Sequence, residues 1–390
     1  MVTPKKGTFP GAPLRSSVII LVLVTLLFTA AAVTAFIEKA SNDLLVEVRA
    51  ADAKRLRQEA FSALEVTLAV LEDFRQADNG LHNQAEGWGD PLNWAGWSPS
   101  AGRTIEVSFR DESGKIPLKR ADIQTLTNLF ESWQVAPSDA EKLADAIEGW
   151  MQNGYVYASA LTPDYPDAPI PYAEPGRPMR AFSELAAVDV AKDFFFDENG
   201  LPNAYYWRFV DDTSIFNYSQ PNANGANADV MAAAGQYTDA QQQHVNDYLS
   251  GTGMYAQQGP NWFQNASTLA TVAGAGGNAG AFGTTITALR VNITVHDGRS
   301  QYKLSAVVSP QGGATINQTA ATNATAAANA PSSSATTSTS ITNSNQPSTT
   351  ATGAATAAAA SQSINYPFTV LEMLEDDEIP QAPPAPEPTS

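Results

Sequence analysis

The chain of 390 residues contains no cysteine and only three histidines, and its 22 basic side chains face 40 acidic ones. The missing thiols exclude a disulfide framework, a zinc ribbon, an iron–sulfur site and a cysteine nucleophile. The net charge of −18 excludes the basic footprint of a nucleic-acid binder, so no nucleic acid is expected as a partner. Charge is also missing locally: Asp, Glu, Lys and Arg are absent between Leu304 and Leu371. At the other end, Lys5, Lys6 and Arg15 are the only charges before Glu38. The N-terminal stretch thus carries +3, and the rest of the chain −21.

Within that stretch, Val18 to Ile37 is an uncharged run of 20 residues. As a helix it measures about 30 Å, the thickness of a bilayer core. The positive charges precede it, which predicts a cytoplasmic N-terminus and an exported remainder. A cleaved signal peptide is the competing reading, with small-residue sites at Ala30-Ala31-Ala32 and Val33-Thr34-Ala35. The segment after the apolar run favours retention. Glu38 to Ala77 has no Gly or Pro, and Leu56, Ala60, Leu64, Leu68 and Leu71 form a single apolar stripe. One continuous helix is expected, half in lipid and half packed on a globular domain, with Asn79-Gly80 as its stop.

Beyond it, Thr104–Phe109 alternates as a half-buried strand, and Asp111–Lys115 reads as a turn. Helical patterning covers Ala121–Trp133, and Ser138 with Glu141 forms a candidate capping box for a helix to about Met151. Ser183, Ala226 and Tyr237 open further helical segments. Thr285–His296 and Gln301–Ser309 are strands joined at Asp297-Gly298, a strong hairpin signal. Tyr366–Leu371 adds an edge or neighbouring strand. The Ala/Ser/Thr/Asn-rich stretch 311–363 has too little apolar surface to order itself and reads as a disordered insert.

Catalytic patterns are not found. His82, His244 and His296 lack ligand spacing, there is no G-x-S-x-G elbow, and the glycine-rich Gly274–Gly280 precedes a strand instead of opening a helix. No cofactor is expected; Asp164 and Asp167, set among prolines, are the candidates for donating oxygens to Ca²⁺.

The order of these features resembles the general secretion pathway protein K family, the large minor pseudopilin of type II secretion. Arg15-Ser16-Ser17-Val18-Ile19-Ile20-Leu21 is similar to the family's processed leader, with Ser16 where the family has glycine. A mature chain starting at Ser17 puts Leu21 at the fifth position, where most pilins carry a glutamate that this family lacks. The resemblance continues through Asp111–Leu118, Ala146-Ile147 with Trp150, Pro169–Tyr172, Phe182–Leu185, Asn222-Ala223-Asn224 with Ala226–Met231, Leu289–Val295 and Tyr366–Glu372. Met151-Gln152-Asn153-Gly154 departs from the family, which has acids after its helix tryptophan, so calcium binding does not carry over to those positions.

The resemblance implies an α+β, pilin-like fold: a long N-terminal helix packed on a small antiparallel sheet, with an inserted helical subdomain. Residues 1–16 would be the leader, 17–78 the transmembrane and amphipathic helix, and 79–118 the start of the α/β domain. The helical subdomain would span 119–250, the sheet 251–310, the insert 311–363, the final strand 364–374 and an acidic, Pro-rich tail 375–390. It further implies a non-enzymatic subunit that caps or initiates a periplasmic pseudopilus, anchored by a single pass in the bacterial inner membrane. Its partners would be the other minor pseudopilins, the major pseudopilin and the prepilin peptidase. A minor pilin of a related filament, and a secreted binding protein or enzyme with a cleaved signal peptide, are the alternatives.

Overall fold

The computed structural model of the protein describes residues 14–100, 102–159, 161–163, 165, 171–317 and 367–380. A single helix, α1 (Leu14–Ala77), runs for 64 residues, about 96 Å at 1.5 Å per residue. Its N-terminal part is long and apolar enough to cross a membrane, with a mean hydropathy of 2.6 in the most apolar window. From Leu56 onward one face is buried: Leu56, Ala60, Leu64, Leu68 and Leu71, the stripe expected from i+3 and i+4 spacing. The helix stops at Asn79, in the left-handed region at φ 56°, and the Gly80 N–H bonds back to the Arg75 carbonyl.

The stripe packs on four antiparallel strands, β1 (Arg103–Asp111), β4 (Leu289–Asp297), β5 (Ser300–Pro310) and β6 (Phe368–Glu375), ordered β1-β4-β5-β6. Their inner face supplies Leu289, Val291, Ile293 and Val295 from β4, and Tyr302, Leu304, Ala306 and Val308 from β5. β4 and β5 are joined by Gly298-Arg299, with Gly298 at φ 58° as a two-residue hairpin requires. The strand β6 is tied to α1: Arg57 grips Glu375 through two bonds of 2.7 Å, and Tyr302 donates to the same carboxylate. Those contacts, Arg57 first, hold Glu375 down at about 2.

Chain between β1 and β4 forms the helical subdomain. It holds β2 (Ile116–Pro117) paired in parallel with β3 (Thr213–Ser214). Around a second core lie α3 (Ile123–Ser132), α4 (Pro137–Met151), α5 (Ala191–Phe195), α6 (Ala204–Asp212), α7 (Ala228–Gly235), α8 (Asp239–Ser250) and α9 (Ala266–Ala273). Phe130 sits at its centre, stacked on Phe209 with centroids 6.0 Å apart. A four-residue helix, α2 (Pro91–Trp94), lies in the irregular Trp-rich segment, too short for a periodicity to announce it.

Several expectations are corrected. α4 starts at Pro137, with Ala136 as an N-cap lacking any side-chain bond, so Ser138 and Glu141 do not form the expected capping box. Proline's fixed φ suits the first helical position, and the helix starts two residues earlier than an N-cap at Ser138 would place it. The helical core also continues past 250, burying Phe263, Leu269, Ala273 and Phe282, so the stretch assigned to the sheet joins it only near Ile286. Gly277, read as part of a flexible connector, packs directly on the Tyr237 ring, where a Cβ has no room. Residues 311–317, at the head of the expected insert, bury Ala314 and bridge Thr315 to Asn217; the rest of that insert lies outside the described residues. The final strand runs to Glu375, and a 3₁₀ turn, Asp376–Glu378, comes next where the tail was expected.

Candidate functional site: the membrane helix and the subdomain junction

Ser16 and Ser17 fall in the first turn of α1. Leu21, the position where most pilins carry glutamate, is 66% exposed in a stretch where Ile19, Ile20, Leu23, Leu26 and Leu27 are exposed as well. An apolar surface of this length has lipid or other apolar helices as its natural surroundings. Further along α1, Leu44, Leu45, Val46 and Val48 are exposed beyond the length a bilayer core covers.

The calcium candidates Asp164 and Asp167 lie outside the described residues. Among the described residues, no group of three or more His, Asp or Glu side chains is placed to hold a metal ion. The histidines are dispersed, His244 on α8 and His296 on β4. His82 contacts Glu86, which also accepts from the Trp88 indole at 2.8 Å, a tie within the Trp-rich loop.

The segments that carried the family resemblance converge at the end of β1. Asp111 bonds Ser113 N at 2.8 Å and Asn222 Nδ2 at 2.7 Å, while Asn222 N donates to the Ser113 carbonyl at 2.6 Å. Asn224 completes the knot: its Nδ2 donates to the carbonyls of Phe263 at 3.0 Å and Thr284 at 2.8 Å, and its Oδ1 accepts from Phe263 N at 2.7 Å. Buried amides that use both donor and acceptor fix backbone positions that lack a regular ladder. Burial pushes the Asp111 carboxyl up to about 6, its bonds to Ser113 and Asn222 opposing that rise. At the same knot the backbones of Gly114 and Gly225 approach so closely that a Cβ on Gly225 would collide with Asp111, and one on Gly114 with Gly225. Gly225→Ala is therefore expected to cost about 1–3 kcal/mol, read as a lowered denaturation midpoint. An unchanged midpoint would remove the steric argument.

Beside the knot lies a buried ionic network. Glu112 binds Lys115 Nζ at 2.8 Å and Arg290 Nε at 2.6 Å, and Arg290 reaches Glu372 at 2.9 Å. Burial works to raise the Glu112 carboxyl, but the two cations outweigh it and hold it below its usual value. Lys115 also donates to the Val210 carbonyl at 3.1 Å. The network therefore joins the turn after β1, strands β4 and β6, and helix α6.

The helix segment around Trp150 meets Phe182–Leu185 in the same way. The Trp150 indole donates to Glu184 at 3.2 Å, Arg177 pairs with Glu184 at 3.2 Å, and Tyr172 donates to the Ala187 carbonyl at 2.9 Å. Sequence reasoning missed Arg290 and Glu372. Their signal was a charge on the outward phase of an alternating strand, which reads equally well as a solvated position.

What the junction offers is rigid placement. It bonds a helical body to a sheet through buried amides and paired charges. Residues 108–193, from the end of β1 to within α5, match the family model described as Type II secretion system (T2SS), protein K. A search of curated protein sequences gave no match. Among solved structures, a chain in the GspK-GspI-GspJ complex of the enterotoxigenic Escherichia coli type 2 secretion system is 15% identical, with a TM-score of 0.44. That alignment covers 66% of this chain and 93% of the other. Residues 108–193 are thus similar to protein K of the type II secretion system, in a chain that also carries a helix of membrane-spanning length.

Proposed function

We propose that the protein is a non-enzymatic minor pseudopilin that caps or initiates the periplasmic pseudopilus of a type II secretion system. The observation that carries this reading is the match of residues 108–193 to protein K, in a chain whose bilayer-length apolar segment continues without a break in α1 into the stripe packed on the sheet. The N-terminus would lie in the cytoplasm and the globular part in the periplasm, anchored in the inner membrane. Other minor pseudopilins, the major pseudopilin and the prepilin peptidase would be its partners.

Leu21 supplies a physical reason for an end position. A glutamate there would need the amine of a neighbouring subunit as its counter-charge, because an unpaired charge in lipid is expensive. A subunit with leucine offers no such carboxylate, and the helical subdomain adds bulk on the exported side.

Intact mass and N-terminal sequence of the protein from native membranes test the reading. A start at Ser17 with a methylated amine is the expected result. A start at Phe36, or elsewhere past the apolar run, would mean a released protein and end the proposal. Leu21→Glu is expected to impair tip assembly and secretion; unchanged secretion would remove the charge argument.

A further inference from the structure

The outer face of the sheet and the helical subdomain do not close on each other. Between them lies a cavity of about 320 Å³ lined by Trp207, Phe216, Ser305, Leu374 and the network residues Arg290 and Glu372. A second hollow of about 240 Å³ shares Ile215, Phe216 and Glu372 with the first and adds Met179, Ile316 and Leu371. Leu371, Glu372 and Leu374 all belong to β6, so the two hollows run along that strand.

β6 ends the strand order, and among the described residues no strand pairs with its other side. An edge strand presents a row of N–H and C=O groups that only another extended backbone meets in register. Three apolar side chains at this edge are exposed, Val370 at 44%, Met373 at 36% and Ile316 at 45%. In the cavity wall, the Trp207 indole N–H is buried without a hydrogen-bond partner, a donor still lacking its acceptor. At the end of the strand, Glu375-Asp376-Asp377-Glu378 is a run of four acids.

We propose that β6 takes a fifth strand from a partner polypeptide. The partner strand is an extended segment whose alternate side chains are apolar and enter the two hollows, and whose end over Glu375–Glu378 is basic. A second copy of this chain is disfavoured by charge, since two chains of net charge −18 repel. Strand addition at β6 does not depend on the secretion reading.

The test uses the full chain in detergent micelles, with Met373→Cys carrying an environment-sensitive dye. The label is unique because the sequence has no cysteine. The probe is a synthetic peptide of alternating valine and threonine that ends in three lysines. Two further versions carry N-methyl groups on one or the other alternate set of amides. The peptide is expected to shift the dye's emission, and methylating the set that faces β6 should weaken binding at least about tenfold, the equivalent of one lost hydrogen bond. The other methylated set should bind as the parent does, and glutamates in place of the lysines should weaken binding. Absent binding, or equal sensitivity to both methylated sets, would overturn the proposal. So would a dye response that tracks protein concentration alone, which would assign the edge to a second copy.

Discussion

Replacing Glu112 with glutamine is expected to remove about 3–5 kcal/mol of folding stability, because it strands buried cations without their counter-charge. The Lys115 and Glu112 side chains are only 7% and 4% exposed, so solvent screens their pairing little. Glutamine keeps the shape and one acceptor oxygen but cancels the charge that faces both Lys115 and Arg290. Arg290 keeps Glu372 at 2.9 Å; Lys115 is left with the Val210 carbonyl alone among its ties. Lys115→Met should cost less, since Glu112 retains Arg290 and the thioether fills the vacated channel. The double variant Glu112→Leu with Lys115→Met should recover much of the loss, because a buried pair exchanged for apolar side chains of similar volume is often neutral. Denaturant unfolding of the full chain in detergent reads all three. A single Glu112→Gln change within about 0.5 kcal/mol of the parent, the range of ordinary surface substitutions, would show that the network contributes no stability.

Why this network escaped sequence reasoning is instructive. Asp111-Glu112-Ser113-Gly114-Lys115 has the composition of an exposed turn, and charged residues are seldom fully buried unless paired. The pairing here comes from Arg290, Glu372 and Asn222, each more than a hundred positions away, and no local pattern reports a partner at that distance. The elements that were legible repeat their own signal. The α1 stripe recurs every third or fourth residue, and the β4–β5 hairpin shows alternation on both sides of Asp297-Gly298. Short helices do not repeat it. α5 has five residues and α9 eight, too few turns for a periodicity to stand out, so both went unseen. The expected boundary at 250 failed for a related reason: small residues around Gly277 suggested flexibility, whereas they let Tyr237 pack at close range.

Raising the pH from 5 to 8 is expected to destabilise the protein, and Asp212→Asn to remove much of that loss. Burial pushes the Asp212 carboxyl up to about 7, the nearby Asp229 adding to the rise while Asn227 and Arg208 oppose it. Its geometry agrees: Asn227 donates to one oxygen, and the other is buried without a partner. Asp229 is itself held by Arg208 through bonds of 2.8 and 2.9 Å. Glu148 is alike, raised to about 7 by burial, with Asp122 adding and Gln152 opposing. In the unfolded chain both groups release their protons near 4, whereas the folded chain keeps them up to about 7. The stabilising term is thus fully present below pH 4, falls by about 1.4 kcal/mol per unit and per group through the interval, and is lost above 7. For Asp212 the total is on the order of 4 kcal/mol. Asparagine carries no such proton, so Asp212→Asn should melt higher than the parent at pH 8, the gap narrowing as the pH falls to 4. Adding Glu148→Gln should flatten the profile further. Below about pH 4 the trend reverses, because Glu112 and Asp145, held below their usual values, are then forced to protonate. Melting curves of the parent and both variants at half-unit steps from pH 4 to 8 decide the matter: a midpoint that rises toward pH 8, or a slope unchanged by Asp212→Asn, would mean that these carboxyls are already ionised in the folded chain.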